Sequence, residues 1–130
     1  MDRGEHGCIK NFVKSEGRMT INFTVVHMGK DLCVSIYGGE LPHLGASALA
    51  QCRPSLSDEN KTSSSVSVLA LLGHKEDKLA ASIAERLSSS LKINVAVLCG
   101  IHNDDITPEE IHAVCRMTDE WCAEYLKANA

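Results

Sequence analysis

Hydrophobic and polar residues alternate along much of the first forty positions, which predicts β-strands. Between residues 19 and 25, apolar side chains occupy every second position, and Thr or Asn occupies the positions between them. This is the pattern of a strand with one buried face. The alternation resumes at residues 32–36 after a Gly-Lys-Asp turn, so the two segments are predicted to form a hairpin. A shorter strand over residues 8–13 is predicted to precede them.

Three later segments also predict strands. Residues 44–51 keep a period of two between flanking prolines, and residues 93–99 form a short apolar run. Residues 66–72 are apolar almost throughout, which favours a central position in a sheet. The polar, turn-rich residues 53–65 between two of these strands predict a long, mobile hairpin loop.

Two segments predict helices. Within residues 74–91, leucine or isoleucine recurs at four-residue steps, which places these side chains on one helix face. A second helix is predicted to begin at Thr107, because Thr107, Pro108 and Glu110 form the pattern of a capping box. The chain is therefore predicted to be one α+β domain over residues 1–130, in the order β-β-β-β-β-α-β-α. Its six-stranded, mostly antiparallel sheet would have both helices packed on one face.

Composition and charge exclude several functional classes. Lys and Arg number 13 against 17 Asp and Glu, and no basic tract is present, which argues against a nucleic-acid binder that neutralises phosphates. No apolar run is long enough to span a membrane, and the polar N-terminus is not typical of a signal peptide. The six cysteines form no CxxC pair, as expected of buried thiols in a reducing cytoplasm.

The strand directions predict a shared site at one edge of the sheet. The third, fifth and sixth strands are expected to run the same way, because a return strand separates the first two and a helical crossover the last two. Each is followed by glycine and then histidine, in residues 38–43, 73–77 and 100–105. Strand ends that open into such loops are common ligand sites. We therefore expect the three histidines to line one pocket.

Each segment suggests a chemistry and an ordinary structural alternative. Gly38 and Gly39 would let a ligand approach bare backbone, or would simply form a turn with positive φ. Residues 73–75 would seat a phosphate at a helix N-terminus, or would form a solvated capping turn. His102 and the carboxylates after it would ligate a metal, or would form a polar loop. No GxSxG or HExxH motif is present, so the residues favour an anionic or phosphorylated ligand over a catalytic site.

The same segments resemble a known family, the prenylated-flavin chaperones of the LpdD-like type. These are small subunits encoded with hydroxyarylic acid decarboxylases. The matching blocks are residues 38–46, 53–56, 73–77 and 100–104, and the similarity extends from residue 18 to residue 115. The family's fold is similar to that of small proteasome-assembly-chaperone domains, which agrees with the predicted order of strands and helices.

The resemblance implies a non-catalytic helper protein. It would bind FMN or prenylated FMN as cargo and assist its delivery from a flavin prenyltransferase to the large subunit of a UbiD-like decarboxylase. The Ala/Leu surface of residues 44–50 would seat the ring system, and no residue would have a catalytic or metal-binding role. The residues that the matching blocks suggest for the cofactor pocket are Gly38, Gly39, His43, Gly73, His74, Lys75, His102 and Asp104.

Two other functions remain open at this point. A metal-dependent enzyme would use His43, His74, His102 and Asp104 around Zn²⁺ or Mn²⁺. An assembly chaperone would bind only protein and no small ligand. The protein is expected to be a cytoplasmic homodimer, because small sheet domains often cover an edge strand by pairing with a second copy.

Overall fold

A six-stranded sheet carries both helices on one face in the computed structural model, which describes residues 8–71 and 76–129. The order of the elements along the chain is the predicted one, and the strands follow the order β1-β2-β3-β6-β4-β5 across the sheet. The elements are β1 (Ile9–Glu16), β2 (Met19–Met28), β3 (Asp31–Gly39), β4 (Ala46–Pro54), β5 (Thr62–Ala70), α1 (Asp77–Leu91), β6 (Val95–His102) and α2 (Pro108–Asn129).

The sheet is mixed but mostly antiparallel. In the described part of the chain, β1–β2, β2–β3, β4–β5 and β4–β6 pair antiparallel, whereas β3 and β6 pair parallel. The predicted α+β class and the predicted packing of both helices on one face are confirmed. Strand β5 runs in the same direction as β3, because β4 returns the chain between them. The crossover through α1 then makes β6 run in the same direction as β5, so β3 and β6 are parallel.

The strand predicted at residues 66–72 lies at the edge of the sheet and not at its centre. Its structural counterpart β5 pairs with β4 alone among the described strands, and Leu69 is 78% exposed. The sequence interpretation was wrong because a continuous apolar run indicates burial on both faces, whereas here one face and one edge are uncovered. Leu72, the last residue of the predicted strand, lies outside the described residues.

The hairpin between β4 and β5 is longer than predicted and its loop is shorter. Arg53 pairs with Ser63 and Pro54 with Thr62, so residues 55–61 connect the strands, in place of the predicted loop over residues 53–65. The serines in this region are compatible with strand structure because backbone pairing with β4 satisfies their N–H and C=O groups.

Aromatic rings form the largest part of the core between α2 and the first strands. Trp121 is 2% exposed and stacks on Phe23 with ring centroids 4.5 Å apart. Tyr125 stacks on Trp121 at 5.3 Å, and Phe12 meets Trp121 edge-on at 5.9 Å. These four rings fasten the long helix to β1 and β2, because each buries a large apolar area in a favourable ring geometry.

The boundaries of both helices can be compared with the local sequence signals that predicted them. The predicted capping box is confirmed: the Glu110 N–H donates to Thr107 Oγ1 at 3.1 Å, and the Thr107 N–H donates to Glu110 Oε1 at 3.0 Å. Helix α1 begins at Asp77 and ends before Lys92, which has φ 59°. Neither helix in the described part of the chain is long and apolar enough to cross a membrane.

The sheet face that points away from the helices is hereafter called the open face. Alternate residues of the six strands point to it, and several large apolar side chains among them are exposed to solvent. On the described strands, these are Ile9, Val13, Met28, Tyr37, Leu49 and Leu69.

Candidate functional site

The carboxyl ends of the parallel strands lie at one edge of the sheet, hereafter the rim. Gly39 at the end of β3 is paired with His102 at the end of β6. Strand β5 runs in the same direction as β6, since both are antiparallel to β4. The direction argument made from the sequence is therefore confirmed for the described strands.

Two of the three predicted histidines lie together at this rim. The rings of His43 and His102 have centroids 5.8 Å apart and meet edge to face. His102 Nε2 lies 3.0 Å from Asp104 Oδ1, and His43 Nε2 lies 3.6 Å from a carboxylate oxygen of Glu76. The remaining predicted residues Gly73, His74 and Lys75 lie outside the described part of the chain.

The paired glycines have a structural explanation in the folded chain. Gly39 has φ +84°, and a Cβ there would overlap the carbonyl oxygen of His102. A Cβ at Gly38 would overlap the carbonyl oxygen of Thr20. Both glycines are therefore required by the close packing of backbone around the end of β3. Their direct contact with a ligand remains a prediction.

A shallow depression of about 300 Å³ lies on the open face next to the two histidines. Its surface is mainly apolar, and its volume is at the lower end of the range for small-molecule sites. The strands supply the floor and the loop after β3 supplies one wall. The lining residues are Ser35, Ile36, Tyr37, Pro42, His43, Leu44, Leu98, Cys99 and Gly100.

The apolar seat differs from the one predicted at residues 44–50. Leu44 does line the depression, but Ala46, Ala48 and Ala50 point to the opposite face and are buried beneath the helices. The period of two in this segment predicted the strand correctly. It could not show which of the two faces the alanines would occupy, because either face of a strand can be the buried one.

Gly100 allows the wall of the depression to form. A Cβ at this position would overlap the carbonyl oxygen of His43, because the loop that carries His43 crosses directly over β6. Gly100 belongs to one of the matching blocks but is not among the site residues that the sequence suggests. A glycine directly before a histidine loop was the available signal.

Glu76 is a second site residue that sequence reasoning missed. Its side chain is 13% exposed, and its Oε1 accepts a hydrogen bond from the Ile101 N–H at 3.4 Å. A Cβ on Gly45 would come within 2.5 Å of Oε2, so the glycine makes room for this carboxylate. The sequence placed Glu76 in an ordinary charged first turn, because nothing local indicates that the carboxylate turns inward toward His43.

The cysteine beneath the depression is held in its neutral form. Burial, and then the nearby charge of Glu76, raises the pKa of Cys99 to about 12. A thiol with this pKa is protonated at neutral pH and is a poor nucleophile. The Cys99 side chain points to the helix face, as its pairing partners Ile36 and Ala46 do, and therefore belongs to the core beneath the depression.

Arg18 ties together the segments that carry the rim. Its Nε donates to Glu110 Oε2 at 2.5 Å and its Nη2 donates to Glu110 Oε1 at 2.9 Å, a bidentate pair. Its Nη1 donates to Glu40 at 2.9 Å, and Nη2 also donates to the Asp104 carbonyl at 2.9 Å. One guanidinium thus joins the β1–β2 turn, the loop after β3 and the loop that follows His102.

We expect Arg18→Gln to loosen the rim in a pH-dependent way. The Arg18 hydrogen bond, followed by the Thr107 N–H, lowers the pKa of Glu110 to about 2 from 4.5. A carboxylate with a lowered folded-state pKa contributes stability above its ordinary pKa, and this contribution is lost as the pH falls toward 2. The stability difference between wild type and variant should therefore be present at pH 7 and should shrink by pH 3, measured by urea unfolding.

The control for this prediction is Arg86→Gln, which removes an exposed pair with Asp119 between the helices. Amide hydrogen exchange of residues 103–107 should accelerate in Arg18→Gln and should remain unchanged in Arg86→Gln. Equal exchange in these residues for wild type and Arg18→Gln would contradict the assigned role of Arg18.

Metal-ligating side chains do not cluster in the part of the chain that the structure describes. No group of three or more His, Cys, Asp or Glu is arranged there to hold a metal ion. The metal hypothesis combined His43, His102 and Asp104 with His74, which lies outside the described residues.

Comparison with known proteins assigns the chain to a family. The family described as the prenylated flavin chaperone LpdD-like domain matches residues 15–130. The chain belongs to this family. The resemblance noted from the sequence is therefore confirmed, and it extends to the end of α2. No curated protein sequence is significantly similar to this LpdD-like domain.

A solved structure confirms the expected similarity of fold. A chain from the crystal structure of a novel chaperone complex for yeast 20S proteasome assembly aligns with a TM-score of 0.56. The alignment covers 93% of this chain and 97% of that chain, at 17% sequence identity. At this level of identity the comparison establishes the shared architecture. The LpdD-like domain is thus a member of a chaperone family with the fold of an assembly chaperone.

Proposed function

We propose that this LpdD-like domain is a non-catalytic chaperone that carries FMN or prenylated FMN. The observation that supports this most directly is the apolar depression on the open face beside His43 and His102. A flavin ring system is flat and largely apolar with polar atoms along its edge. It would lie on Tyr37 and Leu98, with its polar edge toward the two imidazoles.

The phosphate would bind at residues 73–75, which lie directly before Glu76 in the chain. Backbone N–H groups before a helix and the cation of Lys75 suit a phosphate. Glu76, the next residue in the chain, lies at the rim, with its carboxylate 3.6 Å from His43 Nε2. This arrangement would place the anionic and the apolar ends of one ligand at neighbouring positions.

A cargo site requires release as well as binding, and the depression suits both. It is open to solvent, so a bound ring would lose only part of its contact with water and affinity would be moderate. The Cys99 thiol is neutral and lies in the core on the helix side of the sheet, so it would not react with a ring bound on the open face. The domain would therefore deliver its cargo in the form in which it received it.

The proposed partners are those that the family implies. The domain would receive the cofactor from a flavin prenyltransferase and would deliver it to the large subunit of a UbiD-like hydroxyarylic acid decarboxylase in the cytoplasm. It would act as a homodimer, whose contact surface is argued below.

Flavin titration tests this proposal. Purified domain should quench the fluorescence of added FMN, and His102→Ala should weaken the binding by about tenfold, the effect of losing one hydrogen-bonding partner of the ligand. If the domain binds no FMN, aerobically or anaerobically, and co-purifies with a decarboxylase subunit, its function is protein assembly and not cofactor carriage.

A separate titration tests the phosphate anchor. We expect Lys75→Ala to weaken the binding of FMN more than that of riboflavin, because riboflavin lacks the phosphate. Lys78→Ala, three residues later in the chain and within α1, serves as the matched control. An equal loss of affinity for both flavins in Lys75→Ala would remove Lys75 from the phosphate site.

A further inference from the structure

The open face has no charged side chain over three successive cross-strand rows. The pairing registers define these rows, and every member of each is uncharged. Charged residues are common elsewhere, at 23% of the chain. The rows are Ile9-Val26-Cys33-Ala96-Leu49-Ser67, Asn11-Thr24-Ser35-Leu98-Ser47-Leu69 and Val13-Asn22-Tyr37-Gly100.

This face is large enough for a stable interface. Six strands about 4.8 Å apart, each about eight residues long, cover about 750 Å², and the 16 residues of the three uncharged rows cover about 500 Å² of this at its centre. A standard protein–protein interface buries about 800 Å² on each partner. The area therefore matches what one further copy of a similar sheet would cover.

We propose that a second copy of this chain packs its own open face onto this one, sheet on sheet, and thereby covers the ligand depression. Two uncharged faces with Leu and Val projections pack at about 10 Å separation, as the layers of a β-sandwich do. The inference rests on the homodimer and the flavin site proposed above. It specifies which surface forms the dimer and how that surface affects the cargo.

The open face is a better dimer surface than the free edge of β1. The β1 edge carries Lys10 and Lys14, and lysines on an edge strand disfavour pairing with another strand. On the open face, by contrast, Leu49 is 57% exposed and Leu69 is 78% exposed, with no charge near them in their rows. Burial of these leucines stabilises a contact between faces, whereas edge pairing would leave them in water.

The depression lies within this face and is incomplete on its own. Leu98 and Tyr37 form its floor and also belong to the uncharged rows. Small-molecule sites usually enclose most of the ligand surface, whereas this depression is open on the side that the second copy would cover. Dimer formation and ligand binding are therefore coupled, and each is expected to strengthen the other.

The test uses Leu49→Glu, which places a charge on the face without altering the depression, because Leu49 is not among its lining residues. Analytical ultracentrifugation should show a dimer for wild type and a monomer for Leu49→Glu. FMN titration of the same samples should show an affinity about tenfold weaker in the variant, within the usual range of coupling between sites. The matched control is Leu56→Glu at the 92% exposed hairpin tip, which should behave as wild type.

Each other outcome overturns a defined part of the proposal. A wild-type monomer at all concentrations, or a dimeric Leu49→Glu, would overturn the assigned interface while leaving FMN binding intact. A monomeric Leu49→Glu with wild-type FMN affinity would overturn the coupling. A wild-type dimer that binds no FMN would contradict the proposed function and leave the interface standing. If the wild type is monomeric and binds the decarboxylase, and Leu49→Glu loses this binding, the face belongs to the client and not to a second copy.

Discussion

Replacement of Gly100 by alanine is expected to lower FMN affinity by at least about tenfold, the equivalent of one lost contact. The added Cβ would overlap the carbonyl oxygen of His43, so the loop over β6 must move away. His43 and Leu44 form one wall of the depression and would move with it. Overpacking of this kind also costs about 1–3 kcal/mol of unfolding free energy.

Gly29→Ala is the matched control for this prediction. Gly29 lies in the β2–β3 turn at the other end of the sheet, and nothing lies within 4 Å of a Cβ built there. Its φ of +63° makes alanine unfavourable by about 1 kcal/mol, so stability should fall modestly and FMN affinity should not change. If fluorescence titration shows the same FMN affinity for Gly100→Ala as for wild type, the His43 loop is not part of the ligand site.

Replacement of Trp121 by alanine is expected to reduce the unfolding free energy by about 3–5 kcal/mol. Trp121 is 2% exposed and lies between Phe23 and Tyr125, so its removal leaves a cavity that neither ring can fill. Domains of this size are stable by about 5–15 kcal/mol, so the loss is a large fraction of the total. Urea unfolding followed by circular dichroism measures it.

The comparison for this substitution is Leu56→Ala. Leu56 is 92% exposed, and its truncation should change stability by less than about 0.5 kcal/mol. Trp121→Phe should fall between the two, because a smaller ring retains part of the stack on Phe23. A loss below about 1 kcal/mol in Trp121→Ala would show that the aromatic cluster is not the principal contact between α2 and the sheet.

The residues that hold the rim together come from distant parts of the chain. Arg18 and Glu110 are 92 positions apart and fix the backbone around His102. Glu76 positions His43 from the start of α1, and Gly100 gives the His43 loop its path. Local sequence patterns identify the histidines because strand ends can be located. They do not identify the residues that hold them, because those contacts depend on the folded chain.

Several features of this protein follow from local patterns alone. The period of two in β2 and β3 sufficed for the first hairpin, and the Thr107–Glu110 capping box sufficed for the start of α2. The order of elements then determined the strand directions, since hairpins reverse the chain and a helical crossover preserves its direction. From this it followed that His43 and His102 would meet at one rim.

Tertiary structure decided which surfaces were covered. Whether β5 lies at the centre or the edge, and whether the alanines of β4 face the helices or the open face, depends on which strands lie beside them. A strand's own sequence contains the alternation but not the identity of its neighbours, because pairing partners and burial are set by contacts between distant segments. The depression beside His43 exists for the same reason, since its floor and wall come from strands that are adjacent only in the folded sheet.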